Sequence, residues 1–324
     1  MKNVNIKNFK SVKSVTLTDC RRINVLIGRP NVGKSNILEA LALFDVPYMV
    51  NSSNKSLKHL VRIENTAELF HNGISSSPVE VSVDDDMLRV SRTANNGLAI
   101  DIQTRDETAG YTFSPALTLT TRKAPDIFPD ILSYFFPKHF TAESSNVGFL
   151  LPPSGANLME TVASLPGLKT RLAELFHSYG LKMMFDSGSQ EIKAMRENGL
   201  DMFLVPFNSL ADSLQRLIFY KAAIESNRGK TICLEEPEAH TFPPYISNVV
   251  NDIISADTDR FFITTHSPYV MSSLLESAGD DLAVYVVDME ENSTVVNRLS
   301  DTQLQEAYDN GMDMFYNLEA YLPR

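Results

Sequence analysis

The chain has 324 residues, 43% of them hydrophobic and 21% charged, which is enough to bury the core of one large or two ordinary domains. A formal net charge of −11 provides no global basic field for nucleic acid or an anionic membrane, so DNA contact would need a local basic patch. The two cysteines, Cys20 and Cys233, lie far apart, no Cys/His cluster has zinc spacing, the N-terminus has no signal-peptide core, and no apolar run is long enough to span a membrane. The expectation is a cytoplasmic protein with no membrane contact.

Val4, Ile6 and Phe9 open an alternating strand that Val12, Val15 and Leu17 continue past a turn near Lys10-Ser11. The first 22 residues hold six basic side chains and one acidic one. Base rates for surface charge favour a solvated sheet face; the other reading is a small patch facing nucleic acid. Ile23-Asn24-Val25-Leu26-Ile27 is a short apolar run. Gly28-Arg29-Pro30-Asn31-Val32-Gly33-Lys34-Ser35 follows with the spacing G-x-x-x-x-G-K-S, and Asn36 to Phe44 show a helical pattern ahead of Pro47. Average residue usage makes those fixed positions coincide by chance in roughly one chain of this length in a hundred. Strand, phosphate loop and helix are therefore predicted. Gly28 and Gly33 permit backbone angles that a β-carbon forbids, so loop N–H groups can point inward at phosphate oxygens. Arg29, Pro30, Asn31, Val32, Gly33, Lys34, Ser35 and Asn36 are the candidate nucleotide contacts, with Lys34 as a point charge for the outer phosphates and the Ser35 hydroxyl as a Mg²⁺ ligand.

Beyond the loop, Ser52 to Phe70 read as a second, weaker helix. Val79–Val83, Met87–Val90, Leu98–Ile102 and Tyr111–Phe113 read as short strands separated by Asp84-Asp85-Asp86 and Asn95-Asn96-Gly97, an antiparallel sheet outside the main fold. After Pro125, Pro129 and Pro137, His139 to Ala142 reads as a strand. Asn157 to Tyr179 is a helix broken at Pro166-Gly167, Met183 to Phe207 a hairpin with an extended segment, and Leu210 to Asn227 a strong helix with Leu210, Leu214, Leu217, Ile218 and Ala222 on one face. Near the C-terminus, Leu282 to Val287 is a strand and Thr302 to Tyr321 an acidic helix. No internal repeat and no sustained heptad occurs, so no long coiled-coil arm is expected.

Thr231-Ile232-Cys233-Leu234 is an apolar run ending in Glu235-Glu236-Pro237-Glu238, the pattern of a buried parallel strand, and ligands of such sheets sit at the carboxyl ends of strands. Glu235 is placed to hold Mg²⁺ directly or through water, and Glu236 to orient and deprotonate the attacking water. Phe261-Phe262-Ile263-Thr264-Thr265 is a second such strand, and His266 at its end is placed to hydrogen-bond a γ-phosphate. His240 is expected to shape the turn after the acids, while His59, His71, His139 and His177 have no partner spacing.

The phosphate loop, Glu235-Glu236-Pro237-Glu238-Ala239-His240 and Thr264-Thr265-His266-Ser267-Pro268 together resemble the ATP-binding-cassette-type ATPases of the RecF, chromosome-maintenance (SMC) and OLD (overcoming lysogenization defect) group, above all the stand-alone OLD-like "AAA" ATPases of bacterial phage defence. The resemblance implies an α/β P-loop NTPase of ABC-ATPase head type, with a mixed central sheet, an antiparallel β subdomain and a helical signature lobe. It implies ATP and Mg²⁺ as cofactors and catalytic roles for Lys34, Glu236 and His266, with Ser35 and Glu235 on the metal. It also implies a signature segment that reaches the ATP of a second subunit, hence a homodimer or higher homo-oligomer. The best match is Leu210-Ala211-Asp212-Ser213-Leu214-Gln215-Arg216, with Asp212, Gln215 and Arg216 as candidate contacts; Ala211 and Ser213 replace the group's serine and glycine. A plain amphipathic helix is the competing reading of that segment.

Three other functions were weighed. A GTPase would need Asn-Lys-x-Asp and Asp-x-x-Gly; Asn54-Lys55-Ser56-Leu57 lacks the aspartate and no Asp-x-x-Gly occurs. A fused nuclease domain is not expected in the 58 residues after His266. A nucleotide-gated binding module with little hydrolysis is favoured by the altered signature and opposed by Glu236. The expected organisation is one ATPase domain: residues 1–140 with 205–300 as the nucleotide-binding core, 141–204 as an inserted lobe segment and 301–324 as a C-terminal helix. A separate effector, a nuclease or toxin, is the expected partner, and DNA maintenance is the alternative setting to phage defence.

Overall fold

The computed structural model describes residues 3–50, 52–105, 107–123, 129–145, 147–199, 201–256 and 259–322. In chain order, β1 (Val4–Phe9), β2 (Val12–Leu17) and β3 (Ile23–Ile27) precede α1 (Lys34–Ala42). Five strands follow: β4 (Val79–Val83), β5 (Asp86–Arg92), β6 (Leu98–Gln103), β7 (Thr108–Phe113) and β8 (Leu119–Lys123); β9 (Ile131–Tyr134) comes next. Then come α2 (Leu158–Ser164), α3 (Pro166–Ser178), β10 (Lys182–Asp186), β11 (Glu191–Asn198), β12 (Asp201–Pro206) and α4 (Asp212–Ser226). The last third holds β13 (Thr231–Glu235), α5 (Pro243–Ser255), β14 (Arg260–Thr264), α6 (Pro268–Ser277), β15 (Leu282–Glu290), β16 (Ser293–Arg298) and α7 (Asp301–Asp309). These elements divide into two compact units, Met1–Ser133 with Thr231–Glu236 and Arg260–Arg324, and Tyr134–Lys230 with Pro237–Asp259. Among the described residues no helix is long and apolar enough to cross a membrane.

The first unit holds two sheets. One is antiparallel, in the order β2-β1-β4-β5-β6-β7-β8; the other is mixed, in the order β16-β15-β3-β14-β13-β9. In the mixed sheet β15, β3, β14 and β13 run parallel, and their sequences are continuous apolar runs because both faces are covered. In the antiparallel sheet only alternate residues are buried, as in β4 and β6. Helix α1 is buried along most of its length, and Ile37, Leu38 and Leu41 share one core with Phe9, Phe70, Tyr111 and Phe113 on one side and Leu26, Phe262 and Tyr285 on the other.

The solvated face of the antiparallel sheet accounts for much of the basic N-terminus. Lys7 stands opposite Glu80, Glu80 opposite Arg89, and Arg89 opposite Asp101, so charge alternates in sign across four strands. Lys10, Arg21 and Arg22 form ion pairs with Glu39, Asp301 and Asp281. The charges on this sheet face therefore alternate in sign, and Lys10, Arg21 and Arg22 are each paired with a carboxylate.

Three expectations fail locally. Residues 52–70 form bends with two short 3₁₀ turns, Leu57–His59 and Thr66–Leu69, and no α-helix. The side chains of Ser56 and Asn65 take backbone N–H groups there, and the buried Leu57, Leu60, Val61, Ile63, Leu69 and Phe70 follow the core's shape, not a helical stripe. His139 to Ala142 is not a strand: the Asn208 side chain takes both the N–H and the C=O of Phe140, each at 2.9 Å, and the strand of this region is β9. The acidic helix stops at Asp309, where Gly311 adopts φ +58° and Met312 N–H donates back to Ala307 O at 2.9 Å; only a 3₁₀ turn at Leu318–Tyr321 follows. In the second unit, the extended segment after the β10–β11 hairpin pairs as a third antiparallel strand, β12, and α4 and α5 are joined by the Lys221–Asp252 ion pair at 2.6 Å.

Asp45, directly after α1, is wholly buried, and its Oδ2 accepts Ser133 N–H at 2.9 Å. Burial pushes its carboxyl well above the usual range, with the Ser133 hydrogen bonds opposing. A carboxyl raised on folding stabilises the fold fully below its unfolded pKa and loses that contribution as pH rises through its folded pKa. Asp45→Asn is therefore expected to flatten the fall in stability as pH rises above the ordinary carboxylate range, read from urea midpoints; an unchanged slope would assign that fall to other groups.

Candidate nucleotide-binding site

Strands β3, β14 and β13 are parallel and in register, with Leu26 beside Thr264 and Thr264 beside Glu235, so the segments that leave their carboxyl ends share one edge of the mixed sheet. Gly28 leaves β3 at φ +152°, and a β-carbon there would lie 2.2 Å from Val287 O. Gly33 sits at φ +99°, and a β-carbon would lie 2.1 Å from Thr294 Oγ1 and 2.6 Å from Ser11 Oγ. Both glycines are thus demanded by space as well as by conformation.

The loop is braced from behind by a chain of side-chain hydrogen bonds. Thr294 Oγ1 donates to Val32 O at 2.9 Å, Ser11 Oγ lies 2.6 Å from Thr294 Oγ1, and Asn36 Nδ2 donates to Ser11 Oγ at 2.7 Å. Each hydroxyl therefore accepts one proton and gives one. Asn36 turns its side chain to this brace, and Val32 is buried. Arg29, Pro30 and Asn31 are exposed at the loop's tip; Asn31 is in the left-handed region, and Arg29 pairs with Glu319 at 2.7 Å. Ser35 is half-buried at the head of α1.

Lys34 is 5% exposed, and its Nζ donates to Gly28 O at 2.9 Å and Arg29 O at 2.7 Å. Burial pulls its pKa down to about 8, with the charge of Glu236 opposing. Glu236 follows β13 with φ +41°, a strained conformation for a residue with a β-carbon. It is held there by N–H bonds to Thr264 O at 3.0 Å and Thr264 Oγ1 at 3.3 Å. Its Oε1 lies 3.5 Å from His266 Nε2. Burial and Lys34 lower the His266 pKa, with Glu236 opposing. Glu235, half-buried beside it, pairs through Oε1 with Arg62 Nη2 at 2.5 Å. The phosphate loop, both glutamates and His266 thus lie within the first unit at one sheet edge. Ser35 and Glu235 offer a hydroxyl and a carboxylate, the hard oxygen donors that suit Mg²⁺ bound together with phosphates.

The signature residues lie in the second unit, at the head of α4. Asp212 is exposed and accepts Arg216 Nε at 3.0 Å, and the Arg216 guanidinium lies 4.5 Å from the centre of the Phe136 ring. Gln215 is buried and donates to Leu210 O at 2.8 Å. Ser213 donates to His240 O at 3.0 Å and accepts Phe242 N–H at 3.1 Å, so His240 shapes its turn through its backbone. The sequence gives no role to Ser11, Glu39, Arg62 and Thr294, none of which belongs to a local motif, and Thr264 enters only as part of the stretch before His266. Thr264, the last residue of an apolar strand beside the acidic run, is the one that strand register pointed to.

A buried parallel sheet, a glycine-bounded loop and a lysine at the head of the next helix define a P-loop nucleotide-binding protein. Residues 1–146 match the family described as "AAA ATPase domain". A protein of Methanocaldococcus jannaschii is 43% identical over 44 residues, which is 14% of this chain and a fifth (20%) of that protein's length. An "ATP/GTP phosphatase" of Helicobacter pylori is 24% identical over 82% of this chain and 85% of that protein. Among solved structures, the Smc head domain of Pyrococcus furiosus, with an extended coiled coil and bound to the C-terminal domain of ScpA, aligns with a TM-score of 0.51 at 13% identity over 95% of this chain and 98% of that one. The fold is that of the ABC-type ATPase head, and residues 1–146 are similar to an AAA ATPase domain.

Lys34 is depressed to about 8 in the free protein; if its charged form holds phosphate, ADP binding is expected to take up protons and to weaken above pH 8, by at most about tenfold per pH unit. Lys34→Arg, charged throughout, is expected to bind more weakly but without that pH dependence. Calorimetry in buffers of different ionisation enthalpy measures the uptake, and a wild-type affinity constant from pH 7 to 9 would contradict it.

Proposed function

We propose that the protein binds ATP with Mg²⁺ and hydrolyses it by in-line attack of water on the γ-phosphate, catalysed mainly by positioning and charge stabilisation. The observation that carries this reading is Glu236: a strained carboxylate pinned to the end of β14, 3.5 Å from His266, on the sheet edge that bears the phosphate loop. Glu236 takes a proton from the attacking water, His266 hydrogen-bonds the γ-phosphate, and Lys34 with the loop N–H groups holds the phosphates. Ser35 and Glu235 would hold a divalent cation, whose charge would neutralise the phosphate oxygens. The absence of Asn-Lys-x-Asp and Asp-x-x-Gly supports adenine over guanine nucleotides, although the Helicobacter relative is named for both.

In this reading the protein is a switch of the OLD-like kind, in the cytoplasm, serving phage defence or DNA maintenance through a separate effector. ATP joins two copies, each presenting the head of α4 to the other's nucleotide. Asp212 and the backbone N–H groups at the very start of the first turn of α4 make the contact. Arg216 and Gln215, engaged with Phe136, Asp212 and Leu210, keep that turn in shape.

Glu236→Gln is expected to lower ATP turnover at least about 100-fold while ATP still binds; turnover at the wild-type rate would overturn the assignment. Light scattering of the same variant is expected to show a doubling of mass on adding Mg-ATP, and an unchanged mass would remove the two-copy arrangement.

A further inference from the structure

Arg62 belongs to no nucleotide motif, yet it touches the carboxylate assigned to the metal. Its Nη2 lies 2.5 Å from Glu235 Oε1 and its Nε 2.5 Å from Glu39 Oε1. Glu39, on α1 just behind the phosphate loop, has a side chain only 3% exposed, and its second oxygen takes Lys10 Nζ at 2.5 Å. One guanidinium therefore bridges a buried carboxylate and the carboxylate that ends β13.

This bridge is built to open. Val61 and Ile63 are buried and fix the backbone on either side, while the Arg62 side chain is 61% exposed, so solvent borders it. Its departure strands no buried charge, because Glu39 keeps Lys10. A divalent cation and a guanidinium on one carboxylate repel each other strongly at such range.

We propose that Arg62 is a displaceable counter-ion, which neutralises Glu235 in the metal-free protein and gives that carboxylate up to the divalent cation that enters with a nucleotide. Arg62 is thus a positioning residue that moderates how strongly nucleotide binding depends on metal. Without metal, its charge shields incoming phosphates from Glu235. With metal, its displacement subtracts from the gain.

The proposal rests on the nucleotide-site reading, and the test separates the two. Affinity for fluorescent ADP is measured with Mg²⁺ and with EDTA in wild type, Arg62→Gln and Arg62→Lys. In Arg62→Gln, ADP binding in EDTA is expected to weaken while binding with Mg²⁺ holds or tightens, so the ratio of the two dissociation constants rises at least about fivefold. Arg62→Lys, which keeps the charge, is expected to fall between. A ratio that stays constant, as for a scaffold residue, or that falls, as for a direct contact to metal-bound nucleotide, overturns the role of Arg62. A wild-type protein that binds ADP under neither condition overturns the nucleotide site itself.

Discussion

A lysine ammonium taken almost wholly out of water governs the candidate site. Lys34 sits at 5% exposure against two carbonyls, and burial lowers its pKa. Such a charge is tolerated only where the backbone wraps closely around it. The wrap needs φ values reserved for glycine at 28 and 33, and it needs Thr294 and Ser11 packed where any β-carbon at 33 would collide. The cation, the glycines and the hydroxyl brace therefore form one constraint. In the proposed reading, phosphate oxygens would offer the buried ammonium a full negative partner and so relieve the cost of burying it.

Opposite the lysine, the sheet edge stores cost of a different kind. Glu236 is bent into the left-handed region and fastened by two bonds to Thr264. The residue before it stays in regular strand geometry, and its carboxylate points to Arg62. Adjacent glutamates thereby receive different surroundings from one backbone kink: Glu235 an ion pair with Arg62, Glu236 an imidazole and the field of a nearby lysine. Two identical side chains acquire separable chemistry without any difference in sequence context beyond position.

The parts of this fold that were legible in the sequence are those whose determinants lie within one short window. The β3–loop–α1 unit, the apolar runs of β13 and β14 with Glu235, Glu236 and His266 at their ends, and the alternating strands β4 to β7 all follow from local periodicity. Residues 52–70 were misread because their apolar side chains serve an irregular core surface, where capping by Ser56 and Asn65 defeats the helix. Strand β9 escaped because Ile131-Leu132-Ser133-Tyr134 is four residues long and buried throughout, which leaves no period to detect. The brace and the Arg62 bridge were invisible for a topological reason: Ser11 and Thr294 are 283 positions apart, and Arg62 and Glu235 are 173 apart.

That separation has a consequence for how the protein is made. The neighbour of β3 on one side is β15, and the residue that fills the space beneath Gly33 is on β16. Strand β3 is translated early, yet its lateral partner and the hydroxyl that fixes its loop arrive only after residue 280. Contacts of such long sequence range close slowly and late. The phosphate loop of a nascent chain is therefore incomplete until nearly all of this sequence has left the ribosome. ATP cannot template the early folding of the domain that binds it; competence to bind nucleotide instead reports that the chain's distant segments have come together.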